Sequence, residues 1–164
     1  MKKDYTPLVI GGGILLIYFG VIRPIMRKTG LVTTSTTRAI DKLVTDPPEK
    51  NPFKPGYYDA VRKNHPTISM KIKSSAGLEA LWKQFYGGFG YLYDNEVQIE
   101  GAFIQMPSKL IVSQFANYVE KKTGKDLITY MKDGINPANP ASGLNDAEIQ
   151  KIMQIVNAKP EYTQ

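Results

Sequence analysis

The 164-residue chain has no cysteine, one histidine (His65) and one tryptophan (Trp82). Without thiols there are no disulfides, thiolate metal ligands or cysteine nucleophiles, and nothing follows about redox compartment. A lone histidine essentially excludes His-based metal sites and a Ser-His-Asp arrangement. His65 precedes Pro66 in a basic stretch, where a solvent-exposed side chain is expected. Gly87–Gly90 lacks a following Lys-Ser/Thr and a preceding strand, so it is no phosphate loop. Glu96 and Glu100, four apart on one helix face, imitate the carboxylate pair of a glycosidase. No substrate groove accompanies them, and like charges on an exposed helix are common. The expectation is a non-enzymatic chain with no catalytic residue, metal or cofactor.

Charge is missing altogether from Leu8 to Ile22, and Tyr5, Thr6 and Pro7 extend the uncharged run. As a helix, Tyr5–Met26 would rise roughly 33 Å at ~1.5 Å per residue, enough for a hydrocarbon core of about 30 Å. In lipid every backbone polar group must be bonded internally, so a lone segment there has to be helical. Leu8, Gly13, Leu16, Tyr18, Gly20 and Ile22 fall within the expected span. Glycines 11–13 would cost up to ~1 kcal/mol each against Ala in a soluble helix but are ordinary in membrane spans. Lys2 and Lys3 precede the run, and Arg23, Arg27 and Lys28 close it, with Arg23 able to snorkel. A signal peptide would need a small-residue cleavage site, which Val21–Lys28 does not offer. A buried core helix is the third reading. The expectation is a single-pass anchor over residues 1–28.

The net charge of +6 is unevenly spread. Residues 1–73 carry 13 Lys/Arg against 5 Asp/Glu, whereas residues 74–164 carry 8 against 10. Basic residues beside a span are drawn to anionic head groups by about 1 kcal/mol each, so membrane lipids are the expected partner. Nucleic acid could use the same charges and is the less favoured one. Lys2 and Lys3, offset by Asp4, face Arg23, Arg27, Lys28, Arg38 and Lys42 across the span. That excess places the C-terminal part on the cytoplasmic side.

Beyond the span, residues 29–66 read as a neck and a Pro-rich basic spacer. A short amphipathic helix beginning near Ser35 or Thr36 is expected from Ala39, Ile40, Leu43 and Val44. Residues 46–56 hold four prolines in eleven positions, predicting an extended, semi-rigid segment. Phe53, Tyr57 and Tyr58 are candidate partner contacts, because stiff amphipathic aromatics anchor interfaces. They are expected to dock on a neighbouring protein or on the chain's own head. Ile68, Met70 and Ile72 alternate with polar residues, the period of an extended strand lying across a helix or pairing with another chain. Residues 67–164 are the head, expected to fold alone. Five short helices are predicted there: from a Ser74 or Ser75 cap to Gly87, over 94–106, from Ser108 to Gly124, over 125–134, and from an Asn145 or Asp146 cap to residue 158.

The order and words of residues 74–158 resemble a single annexin-type repeat. Gly88-Phe-Gly90 followed by Asp94-Asn-Glu96 stands for the family's Gly-rich turn with an acidic end. Tyr118 followed by Gly124-Lys125-Asp126-Leu127 stands for the end of its third helix, and Leu144–Asn157 for its fifth. The chain is more similar still to single annexin-like modules in structural proteins of bacterial viruses, which an Asn-Pro-Phe…Pro…Tyr-Tyr stretch like Asn51–Tyr58 often precedes. The family binds calcium in that turn. Here Tyr91-Leu-Tyr93 interrupts it and Asp133 is only near the expected carboxylate position, so calcium is not expected.

The fold expected is therefore all-α: an N-terminal transmembrane helix, an extended Pro-rich spacer and a five-helix annexin-like bundle. The function implied is that of a virion protein of a membrane-containing bacteriophage, linking the internal membrane to the capsid shell. Its partners would be capsid or other membrane protein subunits and further copies of the chain itself in a homo-oligomer. The alternative is a bacterial inner-membrane scaffold with a soluble helical interaction domain.

Overall fold

Apolar residues recurring at helical spacing shape most of the described chain. The structure, a computed structural model, describes residues 35–90, 94–136 and 142–164. The expected span and the basic residues flanking it (Lys2, Lys3, Arg23, Arg27 and Lys28) lie outside the described residues. Seven α-helices are described: α1 Ser35–Thr45, α2 Gly56–Asn64, α3 Ser75–Gly87, α4 Glu96–Ile104, α5 Lys109–Thr123, α6 Leu127–Asp133 and α7 Asp146–Asn157. A 3-10 turn, Pro48–Lys50, lies between α1 and α2. No strand occurs among the described residues, and no described helix is long and apolar enough to cross a membrane. The described part is all-α, with α3–α7 in the predicted order.

Local signals set the helix ends. Ser74 accepts the Gly77 N–H at 3.2 Å to start α3, and Asn95, rather than Asp94, accepts the Gln98 N–H at 3.1 Å to start α4. Asp126 caps α6 through the Thr129 N–H at 2.9 Å. Asn145 and Glu148 form a reciprocal capping box on α7. Gly134 ends α6 at φ 62°, and a Cβ there would lie 1.4 Å from the Ser142 carbonyl, so only glycine fits this crossing. Ser108 holds the N-cap position of α5 but makes no capping bond. Instead the Lys109 and Leu110 N–H groups donate to the carbonyls of Pro160 and Glu161, both at 2.9 Å. The C-terminal tail thus closes the helix start that the serine leaves open.

The core centres on Phe85 of α3, which is fully buried. Its ring lies 5.0 Å from Phe89, 5.4 Å from Phe115, 5.8 Å from both Phe103 and Tyr130, and 6.1 Å from Trp82. Three of those contacts are edge-on, the geometry that the ring quadrupole favours. Four helices meet in this cluster.

The Pro-rich stretch departs from the extended spacer expected of it. Phe53, Tyr57 and Val61 are 1%, 8% and 1% exposed and belong to the same core as Phe85. The Phe53 ring lies 6.2 Å from Phe103. Tyr57 and Val61 stand one turn apart on α2, and Phe53 reaches the same core from the turn before it. Pro55 sits at the N-cap of α2, where its fixed φ suits a helix start and its missing N–H costs nothing. The prolines therefore punctuate helices here instead of stretching the chain. Residues 67 and 68 turn, and residues 69–73 have no regular secondary structure and form no strand. They lie across α5, whose Gln114 amide accepts the Lys73 N–H at 2.9 Å and donates to the Lys73 carbonyl at 2.8 Å. A single backbone bond, Lys71 N–H to the Thr163 carbonyl at 2.8 Å, joins them to the tail.

A head beginning at residue 67 would omit four buried apolar side chains, Ile40, Phe53, Tyr57 and Val61. Residues 36–164 are expected to unfold in one cooperative transition in urea, whereas residues 67–164 should show little or none. In the longer fragment Phe53→Ala should cost about 3–5 kcal/mol, as buried Phe truncations do. Equal stability of the two fragments would show that residues 40–61 only decorate the surface.

Candidate interaction surface

Of the three aromatic residues expected to contact a partner, the structure turns two inward. Phe53 and Tyr57 fill the chain's own core, and burial, with the Glu161 charge nearby, pushes the Tyr57 phenol up to about 12. Tyr58 is half-buried and lines a cleft of about 510 Å³. Arg62 and Lys63 from the end of α2, His65 from the turn after it, and Ile68, Met70 and Ile72 from the segment that follows complete that cleft. Ile72 is 58% exposed, while Met70 packs against the core.

The cleft's shape follows from polar locks around α2. Ser113 of α5, fully buried, donates to the Lys54 carbonyl at 2.5 Å and accepts the Tyr58 N–H at 2.9 Å. This supplies the side-chain cap that Pro55 cannot give α2. Arg62 lies over the Tyr58 ring at 5.6 Å and donates to its hydroxyl at 3.1 Å. His65 is only half exposed, against the expectation of a free side chain. Its ring stands 4.9 Å from Tyr162 and its Nε2 3.5 Å from a Glu161 carboxylate oxygen. The C-terminal tail that makes these contacts lies beyond any local pattern, so His65 alone could not announce them.

The Gly-rich turn uses its polar groups internally. The Gly88 carbonyl accepts the Asn95 N–H at 2.6 Å, and the Asp94 carboxylate accepts the Gly90 N–H at 3.0 Å. Asp133 pairs with Lys125 at 2.9 Å. Among the described residues no three His, Cys, Asp or Glu side chains are grouped to hold a metal ion.

Glu96 and Glu100 part company. Glu100 pairs with Lys151 of α7 at 2.7 Å, whereas Glu96 meets Glu148 at the start of α7. Burial, a hydrogen bond shared with Glu96 and the charges of Glu96 and Asp94 push the Glu148 carboxyl up to about 7, against an opposing pull from the Asn145 N–H. Sequence reasoning missed Glu148 because its spacing from Asn145 reads fully as a helix cap.

A carboxyl whose folded pKa lies above its unfolded value binds more protons in the native state. Its contribution to stability is present below the unfolded value and is lost as pH rises through the folded one. The melting temperature should therefore fall between pH 5 and pH 8. Glu148→Gln should flatten that fall, and calorimetry of both proteins across the range measures it. Parallel profiles would show that Glu148 ionises without resistance.

No protein-family model, no curated protein and no solved structure matches the chain.

Proposed function

We propose that the chain is a non-enzymatic, membrane-anchored structural protein. In this reading Tyr5–Met26 crosses the bilayer and the helical head carries the protein contacts. Within that class the reading is a virion protein of a membrane-containing bacteriophage, in which the head ties the internal membrane to the capsid shell. The resemblance of residues 74–158 to single annexin-like modules of bacterial-virus structural proteins supports it. So does the orientation argued from Arg23, Arg27 and Lys28, because a head on the cytoplasmic side of a host membrane faces outward once a shell encloses that membrane.

The observation that carries the reading is the uncharged run set close before a folded helical head. Only eight residues, 27–34, separate Met26 from the first residue of α1. Fully extended they span about 30 Å at most. The Pro-rich stretch adds no reach, because it is folded into the core. A protein built this way keeps whatever the head holds within a short reach of the lipid.

The full chain is expected to stay with membranes after alkaline carbonate extraction, and deletion of residues 1–28 should release it. Mass spectrometry of gradient-purified virions should then find the chain in the particle. Recovery of the intact chain in the soluble fraction would remove the anchor. Retention in membranes with absence from virions would turn the reading to an inner-membrane scaffold.

A further inference from the structure

The head carries opposite charge at two places that its fold keeps apart. Residues 35–73 hold eight Lys/Arg against four Asp/Glu. Around the cleft, Arg62 and Lys63 have no carboxylate within ion-pair distance among the described residues. Exposed Ile72 and half-buried Ile68 lie beside them. The second place is the paired start of α4 and α7. The two helices run parallel: Glu96 meets Glu148, Glu100 meets Lys151, and the Lys159 ammonium donates to the Ile104 carbonyl at 3.3 Å. Their N-terminal ends therefore lie together, with Asp94, Glu96, Asp146 and Glu148 grouped there. Val97, in the first turn of α4, is 79% exposed, more than any other large apolar side chain described.

These two places lie at opposite ends of α7. The acidic end is at its first turn, while the tail beyond its last turn touches His65 and Lys71 at the cleft. Twelve helical residues put about 18 Å between them. One head cannot bring its own two surfaces together, but two heads can. We infer that the Tyr58–Ile72 cleft takes the acidic start of α4 from a second copy of this chain. Val97 of one copy then rests against Ile68 and Ile72 of the next, while Asp94 and Glu96 face Arg62 and Lys63. Each surface buries an apolar centre inside a ring of matched charge, the anatomy of a specific interface. The contact joins different surfaces, so a pair leaves the cleft of one copy and the acidic end of the other free, and the association runs on as a row. It does not depend on the membrane reading, since nothing in it calls on residues 1–34.

The absence of native cysteine makes the test direct. Full-length Ile72→Cys and Val97→Cys chains are purified in detergent, mixed, and treated with a short thiol-to-thiol cross-linker. The mixture should give covalent dimers, and neither variant alone should give them above a tenth of that yield. Arg62→Glu with Lys63→Glu in the Ile72→Cys chain should lower the yield at least tenfold. Asp94→Lys with Glu96→Lys in the Val97→Cys chain should restore it, which a misfolded variant could not do. Dimers from either variant alone would instead indicate a symmetric contact and overturn the inference. So would a yield indifferent to charge reversal, as a merely sticky apolar patch would give, or no dimer at all.

Discussion

The packing of aromatic rings around Phe85 is the constraint on which the rest of the head depends. No described helix exceeds 15 residues, and several have 7 to 9, lengths at which an isolated helix is marginal in water. Their stability must come from what they bury together. Phe85 collects Trp82 and Phe89 from its own stretch, Phe103 from α4, Phe115 from α5 and Tyr130 from α6. Edge-on aromatic pairs add about 0.5–1.5 kcal/mol each beyond the area they bury. Because they prefer particular angles, they also fix how the helices cross. Leucines in the same positions would bury comparable surface with less say over orientation.

The N-terminal part joins that cluster through Phe103, and its entry is set by polar groups that have no choice of partner. Asn51 is fully buried and its amide donates to the Leu43 carbonyl at 2.5 Å, while its side-chain oxygen accepts the Phe53 N–H at 2.9 Å. The Lys54 ammonium donates to the carbonyls of Val44 and Asp46 at 2.6 and 2.8 Å. Both side chains thus cover the last carbonyls of α1, the end where cations and donors are favoured. A buried amide left unpaired costs about 1–3 kcal/mol, so Asn51 locks the register between α1 and the turn that presents Phe53. The Asn-Pro-Phe-Lys word is a helix fastener of this chain, whatever else it contacts.

What the sequence made legible was local. Helix starts at Ser74 and Asn145 and stops at Gly124 and Gly134 are decided within a turn by caps and by φ, and all can be read from four or five residues. The spacer misled because two local signals conflicted. Proline density spoke for an extended chain, and the spacing of Tyr57 and Val61, four apart, spoke for a buried helix face that Phe53 joins from the preceding turn. Core burial won, as tertiary packing usually does over propensity. The alternation of Ile68, Met70 and Ile72 likewise spoke for a strand, but with no second strand to pair with the segment takes no regular structure and Ile68 lies in a bend. The contacts of the C-terminal tail, 50 residues and more from Lys109 and His65, were out of reach of any pattern of neighbours.

The side chains at the start of α7 show how one residue can satisfy a local rule and strain a distant one. Glu148 completes a capping box, and both it and Glu96 suit the positive end of a helix dipole. Parallel packing of α4 and α7 then brings two such ends together, so each helix's favourable carboxylate becomes the other's like-charge neighbour. The dipoles add at that end as well, which keeps the arrangement tolerable, and Lys151 neutralises Glu100 one turn further on. The opposite polarity is forced at the other end of α7. There the last carbonyls, the tail and the cationic end of α2 gather, and the only acidic tail residue, Glu161, is taken up by His65. The acidic end of the head is thus a direct result of two parallel helices meeting start to start.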